Sequence, residues 1–171
     1  MTKDCNHGYT SLQHMVGHSL WVFLAYRLPR EPSTPRIALW RKLKRLGAVQ
    51  LLDGLVALPL DARNREQLEW LAEDIVEAGG EASIWKAQPT TAGQERRLVD
   101  EMQTAIAAEY KHLTGEARTA LREPTAARRR VLSRLRKEIR RIQRRDYFPP
   151  PEREWAKRAV ERLGTLVEAG R

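Results

Sequence analysis

The residues best equipped for chemistry in this chain stand between Arg128 and Arg145, in the run RRRVLSRLRKEIRRIQRR. Nine arginines and Lys137 face one acid, Glu138, so the segment carries nine excess positive charges, the whole net charge of the protein. The other 153 residues hold 21 basic and 21 acidic side chains and balance. Like charges one helical turn apart repel by a few tenths of a kcal/mol per pair, a cost that an anionic ligand removes. The choice of arginine over lysine points the same way, because the guanidinium fork meets two phosphate oxygens at once. The expected chemistry is electrostatic recognition of nucleic acid or another polyanion. A solvated or partner-facing helix is the plainer reading. A membrane surface fits less well, because the apolar stripe is narrow and lacks Trp or Phe.

Phosphate contacts are expected from Arg129, Arg130, Arg134, Arg136, Lys137, Arg140, Arg141, Arg144 and Arg145. Such contacts supply affinity without naming a base. A second anion-directed group surrounds Ser33, which opens a helix whose first N–H groups and positive dipole end suit an oxyanion. Ser33, Arg36 and Arg41 are its candidate ligands, with Arg27 and Arg30 close in sequence. The competing view is that Ser33 only caps and the arginines pair with local acids or extend the polyanion surface. Trp40 shares helical spacing with Ile37 and Leu43, which assigns it to the core rather than to a gate. The apolar settings of Trp21, Trp70 and Trp85 assign them likewise.

Enzyme chemistry is hard to assemble from what remains. His112 is the one histidine after the first expected strand, so no nucleophile–His pair can form there. Cys5, His7, His14 and His18 crowd the first eighteen residues without a zinc-ligand spacing. No metal and no cofactor is expected, and no glycine-rich phosphate loop is present. Glu66, Glu69, Glu73, Asp74 and Glu77 give one helix an acidic face, read as solvated or as a docking surface for the basic helix of the same or a neighbouring chain, as in a homodimer.

The elements that must position these groups follow from periodicity. The chain has 171 residues, 42% apolar and 31% charged, with mean hydropathy −0.59. It has neither an 18-residue apolar run nor a secretory h-region, and its single cysteine cannot pair internally, so a cytoplasmic protein is expected. Residues 1–18 read as a flexible tail. Leu20 to Tyr26 is a short aromatic run typical of a central strand ending at Pro29. Ser33 or Thr34 with Pro35 opens a helix that stops at Gly47. Asp53-Gly54 joins two strands as a hairpin. Asn64, with Gln67 three residues on, is expected to cap a helix carrying Leu68, Leu71, Ala72, Ile75 and Val76. Glu81 to Ala87 alternates as a last strand. The order is βαββαβ, the ferredoxin-like split unit, over residues 19–88: an α+β fold. Residues 91–170 form a helical extension. Its first helix carries Leu98, Val99, Met102, Ile106 and Tyr110. A separate short segment follows around Glu116 to Leu121, then the Arg-rich helix over 125–146, and after Pro149-Pro150-Pro151 a last helix. Val131, Leu132, Leu135, Ile139 and Ile142 fix the Arg-rich helix on the body.

Several fragments in order resemble the N-terminal domain of the chromate-resistance regulator family ChrB. They are the Trp21 strand closing at Leu28-Pro29, Pro32-Ser33 with LWRKLKRLGA from Leu39, the Asp53-Gly54 hairpin with Leu58-Pro59, and Glu77 to Ala82. The Glu109-Tyr110 helix and the Arg-rich helix ending Arg145-Asp146-Tyr147-Phe148 complete the set. The resemblance implies a bacterial, chromate-responsive transcriptional regulator that binds DNA, with chromate as effector. It also implies that longer members carry a second, C-terminal domain, which a chain ending at Arg171 is expected to lack. The βαββαβ core is similar to one domain of the repressor PaaX and to small CRISPR-associated nucleases. Those nucleases keep a metal-binding Asp at the end of the first strand. Here the matching stretch is Ala25-Tyr26-Arg27, without an acid.

Overall fold

Strand pairing begins at the aromatic run. β1 (Trp21–Arg27) is followed by α1 (Thr34–Leu46), β2 (Val49–Leu52), β3 (Leu55–Pro59), α2 (Ala62–Glu77) and β4 (Glu81–Ala87). Three helices complete the chain: α3 (Ala92–Ala120), α4 (Thr125–Gln143) and α5 (Glu152–Ala169). This is a computed structural model and describes residues 20–169. The expected tail, with Cys5, His7, His14 and His18, lies outside the described residues. The chain divides into two compact units between Val99 and Asp100, inside α3.

In the first unit the sheet order is β2-β3-β1-β4, with every pair antiparallel. β1 is central because both of its edges are taken: Val22 stands opposite Leu58 on one side and Lys86 on the other, and Leu24 opposite Val56 and Ile84. Val22, Leu24, Val56 and Leu58 are buried, each contributing roughly 1.5–3 kcal/mol by leaving water. α1 buries Leu39 and Leu43, and α2 buries Leu68, Leu71 and Ile75, at the spacing of one helical face. The fold is the expected one, a ferredoxin-like α+β core followed by a helical extension.

The hairpin turn is where backbone geometry is tightest. Gly54 has φ +79°, and a Cβ there would lie 2.3 Å from the carbonyl oxygen of Tyr26. The Tyr26 N–H donates to the Gly54 carbonyl at 2.7 Å, so the turn is tied to the end of β1. Only a residue without a side chain reconciles that approach with a left-handed φ.

Four expectations need correcting. Trp40, Trp70 and Trp85 are 52%, 53% and 61% exposed, and only Trp21 is buried. Trp40 and Trp70 sit one residue, about 100°, away from the buried stripes, and Trp85 alternates with Ile84 onto the opposite side of its strand. Val76 is exposed for the same angular reason. α2 is capped by Asp61, whose Oδ1 accepts the Asn64 N–H at 2.6 Å. Asn64 is instead buried and donates to the Pro59 carbonyl at 2.9 Å. The segment around Glu116 is no separate element, since α3 runs unbroken for 29 residues.

The second unit is built on one apolar cluster. Ile106, Tyr110, Leu113 and Ala117 of α3 pack with Leu132, Leu135, Ile139 and Ile142 of α4 and with Ala156, Val160, Leu163 and Val167 of α5. At Gly164 a Cβ would lie 3.2 Å from an Arg136 nitrogen and about 4 Å from Leu132, so this glycine lets α5 approach α4 closely.

Candidate nucleic-acid interface and anion cavity

α4 buries Leu132, Leu135, Ile139 and Ile142 on one side, which fixes where its basic residues go. Along the flank toward α3, arginines are paired with acids of the protein itself. Arg134 forms a bidentate pair with Glu116, at 3.0 and 3.1 Å. Arg145, its side chain 15% exposed, does the same with Glu109 at 2.8 and 2.5 Å. Arg141 bonds Glu138 within the helix. Arg144 also has a partner.

The outward face is different. Arg129, Arg130, Arg136, Lys137 and Arg140 are exposed and form no salt bridge among the described residues. Arg129, Arg136 and Arg140 fall on one line along the helix at i, i+7 and i+11, with Arg130 and Lys137 beside them. Four-carbon and guanidinium side chains on successive turns can reach a run of anionic oxygens, and among the described residues no acid is paired with them.

The C-terminal end of α4 is pinned from α3. The Tyr110 hydroxyl donates to Asp146 Oδ2 at 2.9 Å, and Arg153 Nη1 approaches the same oxygen at 3.3 Å. The Asp146 side chain has no solvent exposure. Burial raises its carboxyl above the ordinary range, against the opposing pull of the Tyr110 bond and of Arg153. Burial, and then the bond to Asp146, raises the Tyr110 phenol further still, so it stays a donor.

The sheet unit holds an open cavity of about 770 Å³ between the end of β1, the start of α1 and the β2–β3 hairpin. Ser33, Arg36 and Arg41, the three candidates from the sequence, all line it, with Tyr26, Arg27, Ile37, Trp40, Gln50 and Asp53. Ser33 makes no side-chain cap bond, although its carbonyl receives the Ile37 N–H at 3.1 Å. Arg27 is committed to Glu81 at 2.9 Å; Arg36 and Arg41 form no salt bridge among the described residues. The Tyr26 phenol is raised by burial and then by Asp53, with Arg36 pulling the other way. The cavity thus offers two guanidinium groups, a hydroxyl and a protonated phenol beside one carboxylate. Tyr26, Gln50 and Asp53 escaped the sequence reading. The signal was there, because an antiparallel β1–β3 pair brings the end of β1 to the Asp53-Gly54 turn.

His112 is exposed and stands 4.0 Å from Glu116. Among the described residues no three His, Cys, Asp or Glu side chains group as a metal site. No helix there is long and apolar enough to cross a membrane.

With this geometry in view, comparison with known proteins gives a consistent result. Residues 36–124 match the family model described as Protein ChrB, N-terminal. The chain is 33% identical over 133 residues to Protein ChrB of Cupriavidus metallidurans, an alignment covering 75% of this chain and 40% of that protein. It therefore spans about two fifths of that relative's length. No solved structure matches.

Proposed function

The chain belongs to the ChrB N-terminal family, and from that premise we propose that it acts in chromate-resistance regulation by gripping DNA along the outward face of α4. The family is a regulatory one. The observation that carries the reading is the row of Arg129, Arg130, Arg136, Lys137 and Arg140, exposed and unbridged while neighbouring arginines are neutralised internally. Arg141 and Arg144 border that row. Arg134 and Arg145 serve the fold first, and contribute to the field rather than to direct phosphate contacts. The cavity at Ser33, Arg36 and Arg41 receives the effector oxyanion, chromate, in this reading.

Fluorescence anisotropy with the chain's own upstream duplex and a scrambled duplex tests it. Five phosphate contacts give a slope of about −4.5 in log K against log salt, with chromate weakening binding and sulfate leaving it unchanged. If neither duplex binds at low salt, a sensing or interaction module without direct DNA contact takes the place of this reading.

A further inference from the structure

Two exposed surfaces remain outside that reading, and their chemistry is opposite. On α2 the side facing away from Leu68, Leu71 and Ile75 exposes Glu66, Glu73 and Glu77 together with Trp70 and Val76. None of the three glutamates forms a salt bridge among the described residues, whereas their neighbours Asp74 and Glu69 are paired with Lys42 and Arg65. In the helical unit, α3 and α5 border a groove of about 250 Å³ lined by Arg118, Leu121, Trp155, Arg158, Ala159 and Arg162. Its three arginines also form no salt bridge among the described residues, and Trp155 is 48% exposed.

We propose that the chain self-associates, with the acidic face of α2 from one copy seated in the α3–α5 groove of a second. Each surface combines an exposed indole with three charges of one sign that form no salt bridge among the described residues, negative on α2 and positive in the groove. Half-exposed tryptophans are the side chains that anchor protein interfaces, and the opposed charges choose the partner and set the register. Arginine beside tryptophan also suits a stacked nucleobase and its phosphate, but one feature favours a protein helix. The exposed Leu166 continues the α5 stripe one turn beyond Arg162, where a phosphate chain has nothing to meet. Because the two surfaces differ, each copy offers one of each, and the contact pairs unlike surfaces of the two copies.

Sedimentation velocity without DNA, over a wide concentration range, tests the proposal independently of the α4 reading. The wild-type chain is expected to shift from monomer to dimer as concentration rises. Arg158→Glu with Arg162→Glu, and separately Glu66→Arg with Glu73→Arg, should each stay monomeric, since either set opposes like charges. Mixing the two reversed chains should restore the dimer, because both contacts are then complementary; that restoration also shows that the variants are folded. The milder pair Arg158→Gln with Arg162→Gln should raise the dissociation constant at least about tenfold. A wild-type mass that stays monomeric at every concentration overturns the proposal, as do reversed chains that still dimerise or a mixture that does not. A monomeric wild type whose groove reversal abolishes single-stranded oligonucleotide binding assigns the groove to nucleic acid instead.

Discussion

Glu109 and Arg145 face each other in a two-pronged ion pair, and the residues that follow them, Tyr110 and Asp146, are hydrogen-bonded to each other. Two consecutive residues of α3 thus hold two consecutive residues at the end of α4. Removing one partner of a fully buried pair costs about 3–5 kcal/mol, while exposed pairs are worth about 0–1 kcal/mol. With Arg145 15% and Glu109 33% exposed, Glu109→Gln should cost about 1–2 kcal/mol. Urea unfolding followed by circular dichroism measures it; an unchanged midpoint removes this pair from the account of how α4 is held.

The Tyr110 phenol gives a pH signature. Its folded-state pKa lies above the unfolded value of 10.0, so the folded form keeps its proton where the unfolded form loses it. Stability is complete below pH 10 and falls as pH rises through that value. Tyr110→Phe should flatten this alkaline loss between about pH 9 and about pH 11, even though the variant starts less stable. Equal slopes for the two proteins would contradict the burial argument.

Within the outward row of α4, Arg136→Ala should lower the salt slope of duplex binding by about 1, uniformly across sequences. Glu116→Gln should do the reverse: it releases Arg134 from its bidentate partner and steepens the slope. Anisotropy titrations at several salt concentrations read both changes. An affinity unmoved by Arg136→Ala would take the duplex off this face.

Gly54→Ala places a methyl group 2.3 Å from a backbone oxygen at φ +79°, and neither can shift without breaking the bond between the turn and β1. A loss of about 2–4 kcal/mol is expected, measured as a lowered thermal midpoint, with weaker anion binding because Asp53 and Gln50 move with the turn. A midpoint within a degree or two of the parent would show that the turn can rearrange.

The order of elements was legible because local rules govern it. Period-two and period-3.6 patterns, Asp-Gly and Pro35 all act within a few residues, and the core face of α4 followed from Leu132, Leu135, Ile139 and Ile142. What escaped depended on distances along the chain or on small angles around a helix. Trp40 shares a helix with Leu39 and Leu43 but sits about 100° off their line, so hydrophobicity alone misplaced it. A separate segment was expected around Glu116 to Leu121, yet the buried Leu113 and Ala117 carry α3 through it. Glu116 and Glu109 lie 18 and 36 residues from Arg134 and Arg145, so which arginines are paired with α3 appears only when α3 and α4 are packed. Ser33, Arg36 and Arg41 were legible as neighbours in sequence; Tyr26 and Asp53 joined them through strand pairing.

Among the described residues the strand order β2-β3-β1-β4 leaves two open sheet edges, and each is ill suited to recruiting another strand. β2 is four residues long, with a register shift between Gln50 and Leu52. β4 is longer but carries Glu81 and Lys86, whose charges resist stacking into a fibril-like array. Backbone hydrogen bonding is therefore disfavoured at both of these edges, so strand addition is a poor route for one copy to recruit another.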